Sequence, residues 1–201
     1  MTPERRREHL IAVALEIYGR LSPEQVTVDD VTGAADVSRA LFYRYFRSMN
    51  ELHVAALDTI VTEMTDRISM PPGGQGTAVS MADQLRSAVQ EFLSVVERHA
   101  AAYVALLRSG SVISTGQTDA IVDGVRDHIV ALLREGGGIT DPSPLVSMTL
   151  RGWVALVEGS SLTWLQERRV PRDELVSWLC DQFAAMLATT SRHDGSELVL
   201  G

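Results

Sequence analysis

Thr27-Val28-Asp29-Asp30-Val31-Thr32-Gly33-Ala34-Ala35-Asp36-Val37-Ser38-Arg39-Ala40-Leu41-Phe42-Tyr43-Arg44-Tyr45-Phe46 is the stretch whose reading decides the fold. Thr27 is a good N-cap, because a hydroxyl there accepts an otherwise unpaired helix N–H, and Asp30 three residues on completes a variant of the capping box. The helix so opened reaches about Ala34 or Ala35. Asp36 then stands where a turn is needed, and Ser38 offers a second N-cap for a helix holding Arg39 to Tyr45. The spacing predicts two short helices joined by a tight turn, a helix-turn-helix.

Outward from this segment the period stays helical, with no sustained alternation of apolar and polar residues, so the chain is expected to be all-α. Toward the N-terminus, Leu10, Val13, Ala14 and Ile17 make one stripe of a helix from about Pro3 to Tyr18, ended by Gly19 in the left-handed manner common at helix C-termini. Toward the C-terminus, Ser48 with Glu51 at the third position starts a fourth helix that runs to about Ser69. Pro71-Pro72-Gly73-Gly74-Gln75-Gly76 cannot continue it, because proline removes a donor and glycine is entropically costly. Further helices are expected at about 78–98, 100–109, 117–135, 143–169 and 172–190, with a flexible tail over 191–201. This divides the chain into an N-terminal three-helix domain, 1–47, and a C-terminal helical domain, 48–190.

The 201 residues carry a formal net charge of −8, yet residues 1–52 account for only −1 and the remainder for −7. Arg39, Arg44 and Arg47 lie in a run from Val37 to Asn50 that contains no acid. That local patch says more about an anionic partner than the total does. No apolar run approaches the roughly 18 residues of a membrane span. The N-terminus lacks the continuous apolar stretch of a secretory signal, so a cytoplasmic location is expected. Cys180, the single cysteine, excludes an intramolecular disulfide and a thiolate-rich zinc site. His9, His53, His99, His128 and His193 show no metal-ligand spacing, so neither a metal nor a cofactor is expected.

A helix-turn-helix steadied by a preceding helix can lay its second helix in the major groove. Arg39 and Arg44 can reach phosphates or the guanine edge, Tyr43 can donate to a phosphate, and Ala40 and Leu41 can pack on thymine methyls. Phe42, Tyr45 and Phe46 fit the interior of the small domain. The residues by themselves also admit a plainer reading, of core aromatics beside a solvated arginine face.

The run from Val28 to Ser48, with Arg7, Ala14 and Gly19 before it, resembles the DNA-binding signature of the tetracycline-repressor (TetR) family. The resemblance covers roughly residues 5 to 57, about a quarter of the chain. It implies a DNA-facing set of Ser38, Arg39, Ala40, Leu41, Tyr43 and Arg44, with Thr27 contacting phosphate at the start of the second helix. Three positions depart from the family pattern: Asp36 stands for a turn glycine, Thr32 for alanine, and Met49 for a lysine that would contact phosphate. Asp tolerates a left-handed turn better than most residues, so the turn can survive.

Beyond residue 57 the resemblance extends only to the helical plan and the length. The helix expected at 143–169 is apolar nearly all round, through Leu145, Met148, Leu150, Trp153, Leu156, Val157, Trp164 and Leu165, and such a helix needs cover on more than one side. Gly152, Gly159 and Ser160 would let a neighbour approach closely. The family's last two helices pair with those of a second copy, which implies a homodimer on a palindromic operator; the residues alone also permit a larger monomeric core. Phe92, Tyr103, Leu106, Leu107, Met148, Arg151 and Trp153 are candidates for the wall of a small-molecule effector site, each also readable as plain core, and Arg151 as the partner of a carboxylate. The expected function is a ligand-responsive, DNA-binding regulator, most simply a repressor released by its effector. Two other classes stay open: a dimeric ligand-binding protein without sequence-specific DNA binding, and an all-helical enzyme. For the enzyme the sequence offers no phosphate loop, metal cluster or nucleophile with its base, and none is expected.

Overall fold

The computed structural model describes residues 2–68, 80–108 and 116–195. Among the described residues the chain is all-helical: α1 Pro3–Tyr18, α2 Val28–Ala34, α3 Arg39–Tyr45, α4 Met49–Arg67, α5 Met81–Arg98, α6 Ala100–Arg108, α7 Gly116–Gly136, α8 Pro144–Glu167 and α9 Arg172–Asp194. The Pro71–Gly76 loop falls outside the described residues.

Most helix starts are set by short side chains bonding three residues ahead. Thr2 accepts the Arg5 N–H and Ser143 the Val146 N–H, each followed by a proline whose missing donor costs nothing in the first turn. Ser48 accepts the Glu51 N–H at 3.2 Å, while the Glu51 carboxylate accepts the Arg47 N–H at 2.7 Å. The ends are less regular. Gly19 does close α1, but in the right-handed region at φ −64°, which corrects the expected left-handed cap. What its size permits is proximity: a Cβ there would lie 3.1 Å from the Glu16 carbonyl and 3.6 Å from Ala101 Cβ. A short 3-10 turn, Pro23–Gln25, fills the approach to α2. Helix α9 continues past residue 190 to Asp194, where the Ser143 hydroxyl donates to the Asp194 carboxylate, and Gly195 at φ 73° supplies a left-handed cap.

The chain groups into two compact units, residues 1–63 with 96–122, and residues 64–95 with 123–201. The first is centred on Leu10, Val31, Phe42, Phe46 and Leu52, all fully buried. Burial of a phenylalanine of this kind is worth roughly 2–3 kcal/mol. The Arg7 guanidinium covers the Phe46 ring at 5.2 Å from its centroid. Tyr18 and His53 meet edge to face at 5.3 Å, and among the described residues neither the tyrosine hydroxyl nor His53 Nε2 has a hydrogen-bond partner. Burial raises the Tyr18 pKa and pushes that of His53 down to about 4, so the imidazole is neutral at pH 7.

The second unit is built on α8 against α9. Trp153 is buried with its ring 4.8 Å from Phe183, and its indole N–H donates to the Leu179 carbonyl at 2.9 Å. The Arg126 guanidinium on α7 binds both carboxylate oxygens of Glu158 on α8, at 2.7 and 3.0 Å. Burial alone would lower the Arg126 pKa; the Glu158 hydrogen bonds and charge outweigh it and raise the value.

Candidate nucleic-acid interface

Helix α3 has seven residues, so each face is only two or three side chains wide. Phe42 and Phe46 are 0% exposed and anchor one face in the small core, whereas Tyr43, one step along, is 54% exposed. Ser38, Arg39, Ala40, Tyr43 and Arg44 are all exposed, and Leu41 is half-buried at their margin. The seven predicted residues therefore divide into six around α3, which the structure gathers on its outer side, and Thr27 at the head of α2. Among the described residues the Arg44 guanidinium has no carboxylate partner.

Several hydroxyl contacts are already committed. Ser38 Oγ accepts the Leu41 N–H at 3.2 Å, which leaves its proton free to donate outward. Thr27 spends its hydroxyl on Asp30, accepting the Asp30 N–H at 3.3 Å and donating to the carboxylate at 2.7 Å. The Asp30 carboxylate also accepts the Thr27 N–H, so the capping box is reciprocal. These bonds, the hydroxyl first, lower the Asp30 pKa. Thr27 thus fixes the start of α2 before it can offer anything to a phosphate.

The turn between α2 and α3 is carried by Asp36 at φ 50°, in the left-handed region that favours glycine. Asp is among the few residues with a side chain that enter it at modest cost. Val37 N–H then closes the turn on the Thr32 carbonyl at 3.0 Å. Thr32 is buried, its hydroxyl donating to the Asp29 carbonyl at 3.4 Å.

Sequence reasoning missed one residue of this surface. Asp29, at the start of α2, holds Arg39 of α3: the guanidinium Nε donates to one carboxylate oxygen and Nη2 to the other. The hydrogen bond from Arg39 is the main reason the Asp29 carboxyl lies below its ordinary pKa, and the same bond raises that of Arg39. Ten residues separate the two, across the turn, so no helical spacing announces the pair.

The candidate effector residues are more scattered. Tyr103 belongs to the first unit and is buried; Phe92, Met148, Arg151 and Trp153 belong to the second. The side chains of Leu106 and Leu107 lie outside the described residues. Met148 is 68% exposed, and Arg151 is exposed with its guanidinium 2.9 Å from Asp127. The second unit has an open pocket of about 420 Å3 along the C-terminal half of α8, lined by Leu156, Gly159, Thr163, Trp164, Val170 and Leu175 among others, and none of the five is in its wall. Among the described residues no group of three His, Cys, Asp or Glu side chains is placed to hold a metal, and no helix is long and apolar enough to cross a membrane.

Two family signatures match the chain: "Bacterial regulatory proteins, tetR family" over residues 10–56, and "Tetracyclin repressor-like, C-terminal domain" over residues 81–186. A TetR-family transcriptional regulator from Streptomyces coelicolor has a similar structure, with 33% identity and a TM-score of 0.88 over 97% of this chain and 86% of that one. The fatty acid degradation regulator FadR from Bacillus halodurans shares the fold at 13% identity, with a TM-score of 0.74 over 91% of this chain and 95% of its own. In sequence, the HTH-type transcriptional activator FasR of Mycolicibacterium smegmatis is 23% identical over 177 residues, covering 86% of this chain and 78% of that protein.

Proposed function

Since the chain belongs to the tetracycline-repressor family of transcriptional regulators, we propose that it is a homodimer reading an inverted-repeat operator through α3, and that a small-molecule effector releases it. One observation carries the DNA half of this reading: α3 buries Phe42 and turns Tyr43, Arg44 and Arg39 outward in an acid-free stretch. A phenol and guanidinium groups are donors for phosphate and guanine, and Ala40 with Leu41 offers the apolar contact that a thymine methyl takes. Residues 1–47 are assigned to DNA reading and 48–190 to sensing and pairing, with the protein acting in the cytoplasm.

Leu145 and Met148 on α8 and Trp178 on α9 support pairing, since all three are large, apolar and exposed in the single chain. Palindromic operators require a twofold protein, and a self-complementary apolar face supplies one. For the effector, the reading keeps Phe92 and Trp153 in the second unit as wall residues, with Arg126 and Glu158 as the half-buried polar pair nearest in kind to an anchor. Effector binding acts by favouring a different spacing of the two α3 helices.

The test is selection from random duplexes followed by gel shift. The parent enriches an inverted repeat with half-site centres about one helical turn apart. Arg44→Ala and Tyr43→Phe then weaken binding to it, each by roughly tenfold or more. Retention of full affinity by both variants contradicts the assignment of α3.

A further inference from the structure

Exposed ion pairs contribute little to stability, and the Arg39–Asp29 pair is exposed, with 63% and 62% of the two side chains open to solvent. Holding α2 to α3 is therefore a weak reason for it. A bidentate pair does fix direction, however, because two parallel N–H···O bonds lock the guanidinium plane. Here the bonds use Nε and Nη2. The terminal fork formed by Nη1 and the second Nη2 proton stays open, and among the described residues no hydrogen bond from Nη1 is made.

That fork is the one that meets guanine, whose O6 and N7 accept two N–H bonds side by side in the major groove. Charge argues in the same direction. Arg39 with its carboxylate is close to neutral as a pair, which makes it a poor ligand for a phosphate, and the carboxylate itself repels the backbone. A neutral base edge needs directed donors more than net charge. Arg44, with no carboxylate partner among the described residues, is the better phosphate ligand. We propose that Asp29 is a positioning residue that aims the Arg39 fork at a guanine, so that α2 sets one base of the specificity read by α3. The inference rests on the DNA-reading function proposed above. Pre-fixing the guanidinium also spares the entropy of immobilising a flexible side chain on binding. The negative charge gives up some general affinity, in exchange for discrimination.

The experiment uses the full-length chain, a duplex selected from a random pool, and single-base variants of that duplex. The parent should discriminate guanine from other bases at one position of each half-site by roughly tenfold or more. Asp29→Asn keeps the shape but loses the charge and half the bidentate acceptor. It should cut the discrimination at that one position to about two- or threefold and leave the other positions as they were, with affinity for the duplex lacking that guanine equal or higher. Arg39→Ala should lose the same position, and the double variant should read no differently from Arg39→Ala alone. Undiminished discrimination in Asp29→Asn overturns the inference, as does a loss spread evenly over all positions. So does an Arg39→Ala variant that loses affinity uniformly with a salt slope reduced by about one, the mark of a phosphate contact. A parent that enriches no sequence removes the DNA-reading function itself, and is told apart because the comparison of variants then never begins.

Discussion

Helices α3 and α8 expose opposite chemistry for a common reason. In α3, seven residues are enough to sort a buried ring, Phe42, from a phenol and two guanidinium groups on the outer side. In α8, twenty-four residues bury Leu150, Trp153 and Val157, yet still leave Leu145 and Met148 in solvent. A short helix with polar outer residues fits a charged partner. A long helix with apolar residues on several sides fits another apolar surface. Under the function proposed above the two surfaces take different occupants, DNA for one and a second copy for the other.

The comparison can be broken most sharply at α3, between adjacent residues. Phe42→Ala should destabilise the first unit by about 3–5 kcal/mol in denaturant unfolding, through lost burial and a residual cavity. Tyr43→Ala should cost within about 1 kcal/mol, chiefly its edge-to-face contact with Phe42 at 5.4 Å, while abolishing operator binding. Equal destabilisation by the two would mean that α3 has no outer face.

A smaller effect sharpens the contrast between buried and exposed titratable groups. The His53 pKa is about 4 folded against an ordinary 6.5, so the unfolded chain binds the proton more readily between those values. Stability contributed by neutral His53 is complete above about pH 6.5 and falls as the pH drops toward 4. The loss should approach 2 kcal/mol near pH 5. Urea titrations at pH 7 and pH 5 measure it, and His53→Leu should flatten that part of the profile. A parent whose stability is unchanged across this range contradicts it.

The smallest effect is in the turn. Asp36→Gly should stabilise the first unit by about 0.5–1 kcal/mol, since relief at φ 50° exceeds the added freedom of the unfolded chain. It also removes a carboxylate beside α3, so general DNA affinity should rise slightly, as fluorescence anisotropy on a random duplex would read. A lower midpoint in thermal unfolding would show that the aspartate side chain supports the turn.

What could be read in the sequence was mainly what is decided within four residues. The caps at Thr27, Ser38 and Ser48 are bonds from a side chain to an amide three positions on, and each appears where the spacing places it. The left-handed residue of the turn was likewise legible at Asp36. At Gly19 the same reasoning went astray: the residue caps α1 at φ −64°, and the tight contact a Cβ would make there is with the Glu16 carbonyl at 3.1 Å, not one set by a left-handed backbone. The last residue of α9, Asp194, is bonded by Ser143, 51 residues away. Arg126 and Glu158 are 32 residues apart, and Asp29 meets Arg39 across a turn. Such pairs leave no periodic trace, since only the packing of helices brings them together. The apolar width of α8 was plain in the sequence, but which of its residues would stay in solvent was not.

The central claim, that two copies present α3 to one operator, is tested most directly by sedimentation of the purified chain with and without the selected duplex. The account predicts a species of two chains alone, and a complex of two chains per inverted repeat that Arg44→Ala forms roughly tenfold or more weakly while remaining dimeric. A single-chain species that ignores the duplex would contradict it.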